Sequence, residues 1–367
     1  MFLKSLSLFS FRNHKETELS FSQPINVFFG KNGQGKTNLL DSIHFLCLTK
    51  SFLVSQDSYC IQNGEKQFGL NGKFISDSNL EYQIKVSVDS TSKKEFVVNN
   101  DTSYSQLDMI GLIPTVIMTL DDRLITMGSP ADRRKFLDSV LYQISKSYIQ
   151  DSKKLKRIVK QRNDVLSSFN RNSVSNLELY EAWTDELIEV SVPIMKKRIQ
   201  FLTEFNKILA GLYKNEFSRF EIPEITYLFN GKEINSDIQF ETEFAELRKK
   251  IRQSEFERGM TLFGPHRDDL LITLDKKECR YFSSQGQHKL LLLALKFSMW
   301  FYIREKMNEK PLFLIDDIFS ELDQERMELI SGFLPNLGQT FITATDRENF
   351  QSKLVADFFE IENGKVK

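Results

Sequence analysis

The sequence predicts an α/β fold with an antiparallel β flank and an inserted α-helical arm, and three observations lead there. An apolar strand, Ile25-Asn26-Val27-Phe28-Phe29, runs into the glycine-rich segment Gly30 to Thr37 and then into a helical pattern with Leu39, Leu40, Ile43 and Leu46 on one stripe. Between Gln67 and Val98, short alternating segments separated by Asn-Gly, Ser-Asp and Lys-Lys turns read as a β-meander. After Gly128-Ser129-Pro130 the apolar period lengthens to that of long helices.

Length and composition agree with this division. The chain has 367 residues, more than the roughly 100–200 of one ordinary domain, so an insertion or a second unit is expected. The expected partition is a split core, 1–113 and 255–367, with the arm at 114–254. A hydrophobic fraction of 41% and near-cancelling charge, Lys+Arg 49 against Asp+Glu 50, exclude a disordered chain and one coated uniformly in basic residues. Any nucleic-acid surface must therefore be segregated. Cys47, Cys60 and Cys279 have no paired spacing, which excludes a disulfide framework and a four-ligand zinc site and fits a reducing, cytoplasmic setting. The apolar run Leu290 to Ile303 is interrupted by Lys296 and Ser298 and falls short of the ~20 residues that span a bilayer. Met1 to Phe11 lacks the pattern of a signal peptide, so no membrane association is expected. The 32 phenylalanines are read as core packing.

In order along the chain, Leu3, Leu6, Leu8 and Phe11, then Glu18 to Phe21, then Ile25 to Phe29 alternate as strands, and a helix starts at Lys36 with Asp41 and His44 on its polar face. The meander comprises Gln67 to Leu70, Tyr82 to Val88 and Glu95 to Val98. The arm carries two stripes. Leu137, Leu141, Ile144, Tyr148, Leu155, Ile158, Val165 and Phe169 form the first, and Leu177, Tyr180, Trp183, Leu187, Ile194, Phe201, Phe205, Ile208 and Leu212 the second. The polar loop Asn170 to Asn176 separates them. At 1.5 Å per residue each helix extends about 50 Å, so the two are expected to pack antiparallel, with a kink at Pro193. Strands resume at Glu221 to Phe229 and Asp269 to Leu274.

The chemistry is concentrated in a few segments. Gly30-Lys31-Asn32-Gly33-Gln34-Gly35-Lys36-Thr37 fits G-x-x-x-x-G-K-[ST] between an apolar strand and a helix, the context the pattern requires. Its glycines let backbone N–H groups wrap phosphate oxygens, Lys36 reaches the β/γ phosphates of ATP, and the Thr37 hydroxyl binds Mg²⁺. Leu312 to Ile315 is an apolar strand ending in Asp316-Asp317, as in a Walker B segment. Asp316 is expected to hold Mg²⁺ and Asp317 to orient or deprotonate the attacking water. Ser283-Ser284-Gln285-Gly286-Gln287 precedes an apolar helix and resembles the ABC signature, with Ser284, Gly286 and Gln287 at the S-x-G-Q positions. Read alone it is a polar helix cap; some thirty residues before Asp316 it reads as a second phosphate cradle. Ser320-Glu321-Leu322-Asp323 stands where a D-loop belongs. The strand end Phe341 to Asp346 lacks a switch histidine. Together these give a P-loop ABC/SMC-type ATPase head.

Taken with Phe11-Arg12-Asn13, Arg133-Arg134-Lys135-Phe136-Leu137-Asp138 and Gly264-Pro265-His266-Arg267-Asp268-Asp269, the motifs resemble the RecF family, the SMC-like ABC ATPases of bacterial recombinational repair, along essentially the whole chain. The resemblance implies an ATP-induced homodimer that sandwiches nucleotide between Lys36, Thr37 and Asp316 of one subunit and Ser284 of the other. It also implies binding to single-stranded and gapped or junction DNA, partnership with RecR and RecO, and indirect help in loading RecA. Asp317 replaces the Glu of most ABC ATPases, which implies a weak, slow ATPase acting as a switch. From Arg133 to Arg162 ten basic residues face two acidic ones, so Lys153, Lys154, Arg157 and Lys160 are the candidate DNA contacts, with Lys196, Lys197 and Arg198 as a second patch. A transporter subunit is disfavoured because Lys36 and Gly286 lie 250 residues apart. An SMC-like DNA clamp of another repair or defence system is the alternative.

Overall fold

A computed structural model describes residues 1–168, 174–218, 220–234, 240–319, 324–347 and 355–367, which fall into two compact units, Met1–Asp122 with Met299–Lys367, and Arg123–Ser298. The chain begins with β1 (Phe2–Phe11), β2 (His14–Ser20) and β3 (Ile25–Phe29), then α1 (Lys36–Leu48), β4 (Gln67–Ile75), β5 (Glu81–Asp89), β6 (Lys94–Val98), α2 (Gln106–Met109) and β7 (Thr115–Met118). The second unit contributes α3 (Leu124–Met127), α4 (Pro130–Ile144), α5 (Lys146–Ser167), α6 (Val174–Leu212), β8 (Pro223–Phe229), β9 (Lys232–Glu233), α7 (Phe240–Arg258), β10 (Asp269–Leu274), β11 (Lys277–Glu278), α8 (Cys279–Phe282) and the start of α9 (Gln285–Met307). Then come β12 (Leu312–Ile315), α10 (Gln324–Phe333), β13 (Thr340–Ala344), β14 (Ala356–Glu362) and β15 (Lys365–Val366).

In the first unit β3, β13, β12 and β7 are parallel neighbours, with β14 parallel on the other side of β3, in a sheet of order β15-β14-β3-β13-β12-β7. Every residue of β12 and β13 is buried, which is why their sequences read as unbroken apolar runs: a parallel sheet is covered on both faces. The antiparallel sheet β2-β1-β4-β5-β6 instead alternates, with Leu6 and Leu8 buried and Phe9 exposed. Phenylalanines fill the core. Phe11 meets Phe68 edge-on at 5.0 Å between ring centroids, and Phe21 meets Phe341 likewise at 5.0 Å.

The unit boundaries differ from the expected 113/114 and 254/255. Thr115 to Met118, assigned to the arm from sequence, pairs in register with Leu312 to Ile315 as the sheet's edge strand. The second unit runs on to Ser298 because β10 pairs with β8 in the antiparallel sheet β11-β10-β8-β9. The first helical stripe is two helices, divided at Ser145, whose extended backbone (φ −144°, ψ 102°) breaks α4 from α5 while its hydroxyl accepts Tyr148 N–H at 3.2 Å. The second stripe is the 39-residue α6, which continues through Pro193. Phe169, the first four residues of the expected polar loop (Asn170 to Ser173) and the whole of Ser320-Glu321-Leu322-Asp323 lie outside the described residues, and the loop's last three, Val174 to Asn176, already belong to α6. Among the described residues no helix is long and apolar enough to cross a membrane.

Candidate nucleotide site and basic arm

The segment between β3 and α1 turns sharply on its glycines. Gly30 has φ +146°, and a Cβ there would sit 2.4 Å from the Ile361 carbonyl oxygen. Gly35 has φ +112°, and its Cβ would sit 2.6 Å from Asn13 Nδ2. Both positions exclude a side chain on two counts. Lys36 Nζ donates to the carbonyls of Gly30 and Lys31 at 2.6 and 2.9 Å, curling the ammonium over the loop. Residues Asn32 to Asn38 line a cavity of about 250 Å³ together with Asp317 and Thr343.

At that cavity Thr37 Oγ1 donates to Asp316 Oδ1 at 2.9 Å, and Thr343 Oγ1 donates to the same oxygen at 2.8 Å. Thr343 also accepts Asp317 N–H at 2.9 Å. One hydroxyl on β13 thus ties together both aspartates that follow β12. Burial lowers the Lys36 pKa, opposed by the charges of Asp317, Asp316 and Asp346. Burial likewise raises Asp316, opposed by the hydroxyls of Thr343 and Thr37. Asp317 has φ +51°, a left-handed conformation that Asp and Asn tolerate better than other side chains.

The loop is held from behind. Gln34 receives hydrogen bonds on its main-chain carbonyl from Asn13 Nδ2 at 3.1 Å and Gly364 N–H at 2.9 Å, and on Oε1 from Asn363 N–H at 2.7 Å. His14 Nε2 stands 3.1 Å from the Gly35 carbonyl oxygen, and burial lowers its pKa. Asp41 and His44, expected on a polar helix face, are buried. Asp41 accepts Arg12 Nε and Nη2 at 3.0 and 2.9 Å, and His44 Nδ1 lies 2.9 Å from the Lys50 carbonyl oxygen. Sequence reasoning did not find Thr343, His14 or Gly364. The only signals were the strand-end threonine and the Asn363-Gly364 turn dipeptide.

Lys36, Thr37, Asp316 and Asp317 belong to the first unit; Ser284, Gly286 and Gln287 belong to the second. Ser284 and Gln287 form a reciprocal cap on α9: Ser284 N–H donates to Gln287 Oε1 at 2.7 Å and Ser284 Oγ accepts Gln287 N–H at 3.2 Å. Gln287 Nε2 is fixed in turn on Glu221 Oε1 at 2.6 Å.

On α5, Lys153, Lys154, Arg157 and Lys160 are exposed while Leu155 and Ile158 are buried, so these cations share the solvent side. Lys154 lies 3.8 Å from Glu189. Two other members of the basic run, Arg133 and Arg162, are internal. Arg133 grips Asp269 through Nε at 2.7 Å and Nη2 at 2.8 Å. Arg162 is fully buried against Glu255, with Nη1 to Oε1 at 2.9 Å and Nη2 to Oε2 at 2.6 Å. The expected second patch is corrected as well. Arg198 is buried, donating to Tyr148 OH, Pro265 O and Asp138 Oδ1 at 2.8, 2.7 and 3.0 Å, and Lys197 pairs with Asp151 at 3.2 Å. Buried arginines are retained only with such partners, because an unpaired charge is costly away from water. Gly264 to Arg267 is the expected turn into β10, closed by Arg267 N–H on the Gly264 carbonyl at 2.8 Å. Burial pushes His266 in the turn down to about 4 and Asp268 just after it, which accepts from the Tyr227 hydroxyl, up to about 7.

Comparisons with known proteins place these features in one lineage. Residues 2–365 match the family described as RecF/RecN/SMC N terminal domain. A protein of Chloroherpeton thalassium named DNA replication and repair protein RecF is 37% identical over 355 residues, covering 95% of this chain and 96% of that one. A relative of the same name from Lactobacillus johnsonii is 32% identical, covering 97% and 96%. A solved structure described as the recombination mediator protein RecF with ATP in the RecFOR pathway superposes with TM-score 0.90 at 30% identity, covering 100% of this chain and 97% of that one. An Smc head domain from Pyrococcus furiosus shares the fold, at TM-score 0.57 and 16% identity.

Proposed function

The chain belongs to the RecF family, and from that membership we propose that it is an ATP-dependent DNA-binding switch of recombinational repair and replication restart. The observation that carries this reading is the convergence of Thr37 Oγ1 and Thr343 Oγ1 on Asp316 Oδ1 at the mouth of the phosphate loop. Thr37 hydroxyl and Asp316 carboxylate are hard oxygen donors of the kind Mg²⁺ takes, and Mg²⁺ completes its shell with water and nucleotide phosphates rather than a protein cage. When bound, Mg²⁺ would neutralise charge on the phosphates. Lys36 would move from the loop carbonyls to the β/γ phosphates, and Asp317 would orient the attacking water.

Ser284, Gly286 and Gln287, at the capped start of α9, are assigned to the nucleotide held by a second copy, so that ATP joins two subunits. The related RecF structure is described with ATP and in the RecFOR pathway. By extension RecR with RecO, and indirectly RecA, are the partners here, and single-stranded or gapped DNA is the substrate, in the cytoplasm. Hydrolysis is slow and resets the state. Sedimentation with ATP, with ADP and without nucleotide tests the switch: a dimer is expected with ATP, and a monomer under all conditions would sink it. A titration on gapped against blunt duplex, with either nucleotide, tests the substrate assignment.

A further inference from the structure

A phosphate cradle needs its N–H groups pointing inward, and in a trans peptide the N–H points opposite to the carbonyl of the preceding residue. Whatever fixes the Gln34 carbonyl therefore fixes the direction of the Gly35 N–H, and whatever fixes the Gly35 carbonyl does the same for Lys36. The Gln34 carbonyl is held from one side by Asn13 Nδ2 at 3.1 Å and Gly364 N–H at 2.9 Å, and the Gly35 carbonyl, which accepts Leu39 N–H at 3.1 Å as the first bond of α1, also lies 3.1 Å from His14 Nε2. Asn13 is itself oriented, its Oδ1 accepting Asn38 Nδ2 at 2.7 Å. The fit is close on every side. A Cβ on Gly364 (φ +73°) would stand 2.1 Å from the Asn13 carbonyl oxygen. Asn13, Asn363 and Gly364 are not among the residues lining the cavity.

We infer that the turn at Asn13–His14 and the turn at Asn363–Gly364 are positioning elements of the nucleotide site, setting the inward direction of the loop N–H groups without touching the nucleotide. Phosphate affinity in a loop near the start of the sequence is thereby made to depend on a hairpin some 330 residues later, between β14 and β15. The inference rests on the nucleotide reading above.

The test is a titration of the full chain with a fluorescent ADP and Mg²⁺, comparing the unaltered protein with Asn13→Ala and Gly364→Ala, alongside thermal unfolding of each without nucleotide. Loss of one such hydrogen bond should weaken ADP binding about five- to tenfold, while the unfolding midpoint of Asn13→Ala stays within a few degrees of the parent. Affinities are measured well below every midpoint, so a weakening that persists there supports positioning. If both variants bind like the parent, or the weakening vanishes far below the midpoint, the turns are merely structural and the inference falls. If the unaltered chain itself binds no ADP, it is the nucleotide reading that fails.

Discussion

Replacing Thr343 by Val keeps the shape of the side chain and deletes the hydroxyl that ties Asp316 to Asp317. Two hydrogen bonds go: the one donated to Asp316 Oδ1 at 2.8 Å and the one accepted from Asp317 N–H at 2.9 Å. A bond to a charged group contributes about 1.5–3 kcal/mol, and a buried N–H left without its acceptor costs about 1–3 kcal/mol more. Thr343 has no exposed surface of its own but lines the nucleotide cavity, where water can take over part of what the hydroxyl does, so a loss near the low end of the sum, about 3 kcal/mol, is expected in urea unfolding. Among the described residues Asp316 then keeps only Thr37 as a hydroxyl partner, and on the proposal that this carboxylate holds Mg²⁺ its loosening should lower activity by about 10–100-fold. The assay is Mg²⁺-dependent ATP turnover beside the unfolding curve, with Thr343→Ser as control. Thr343→Ser retains the hydroxyl and should fall close to the parent in both. If Thr343→Val matched Thr343→Ser in stability and turnover, the hydroxyl would have no part in holding the aspartates, and the reasoning would be wrong.

Asp317→Asn should abolish most turnover with little loss of stability, since Asn also accepts the left-handed backbone at φ +51°; unaltered turnover would remove Asp317 as the water-orienting group. Charge reversal of Lys153, Lys154 and Arg157 to Glu should weaken DNA binding and flatten the slope of log K against log salt by up to about three units for duplex, whereas unchanged affinity would take α5 out of consideration. Asp268→Asn tests the buried carboxyl, which is raised from 3.8 to about 7. The native chain then holds a proton that the unfolded chain has released, so this contribution is whole below pH 3.8 and is lost as pH rises towards 7. Between pH 5 and 8 the parent should lose about 2–3 kcal/mol that the Asn variant keeps, and parallel urea midpoints across that range would count against it.

The parts of this molecule that were legible beforehand are those whose meaning is local. Gly30 to Thr37 announces itself because spacing, strand and helix all lie between Ile25 and Leu48, and Asp316-Asp317 because an apolar strand ends on them. Thr343 was illegible because its role exists only once β13 lies beside β12. The basic run was misread at its two buried arginines for the same reason: Lys153 and Arg162 look alike in a string, but the Glu255 that pairs with the buried Arg162 is 93 residues away. Ser145 ends a helix without disturbing the apolar stripe, since Leu141 before the break and Tyr148 after it are both buried. The arm's boundaries followed strand pairing, Thr115 with Leu312 and Asp269 with Leu228, which composition does not record.

The fork between Arg133 and Asp269 also constrains how this sequence can drift. Lysine at 133 would offer a single rotating ammonium to a carboxylate now gripped at two oxygens, and any neutral residue at 269 would strand a guanidinium that is almost wholly buried. Neither position can change alone without loss, although 136 residues separate them. Among related sequences the two should be inherited as a pair, either both kept or both exchanged for apolar residues that fill the same space.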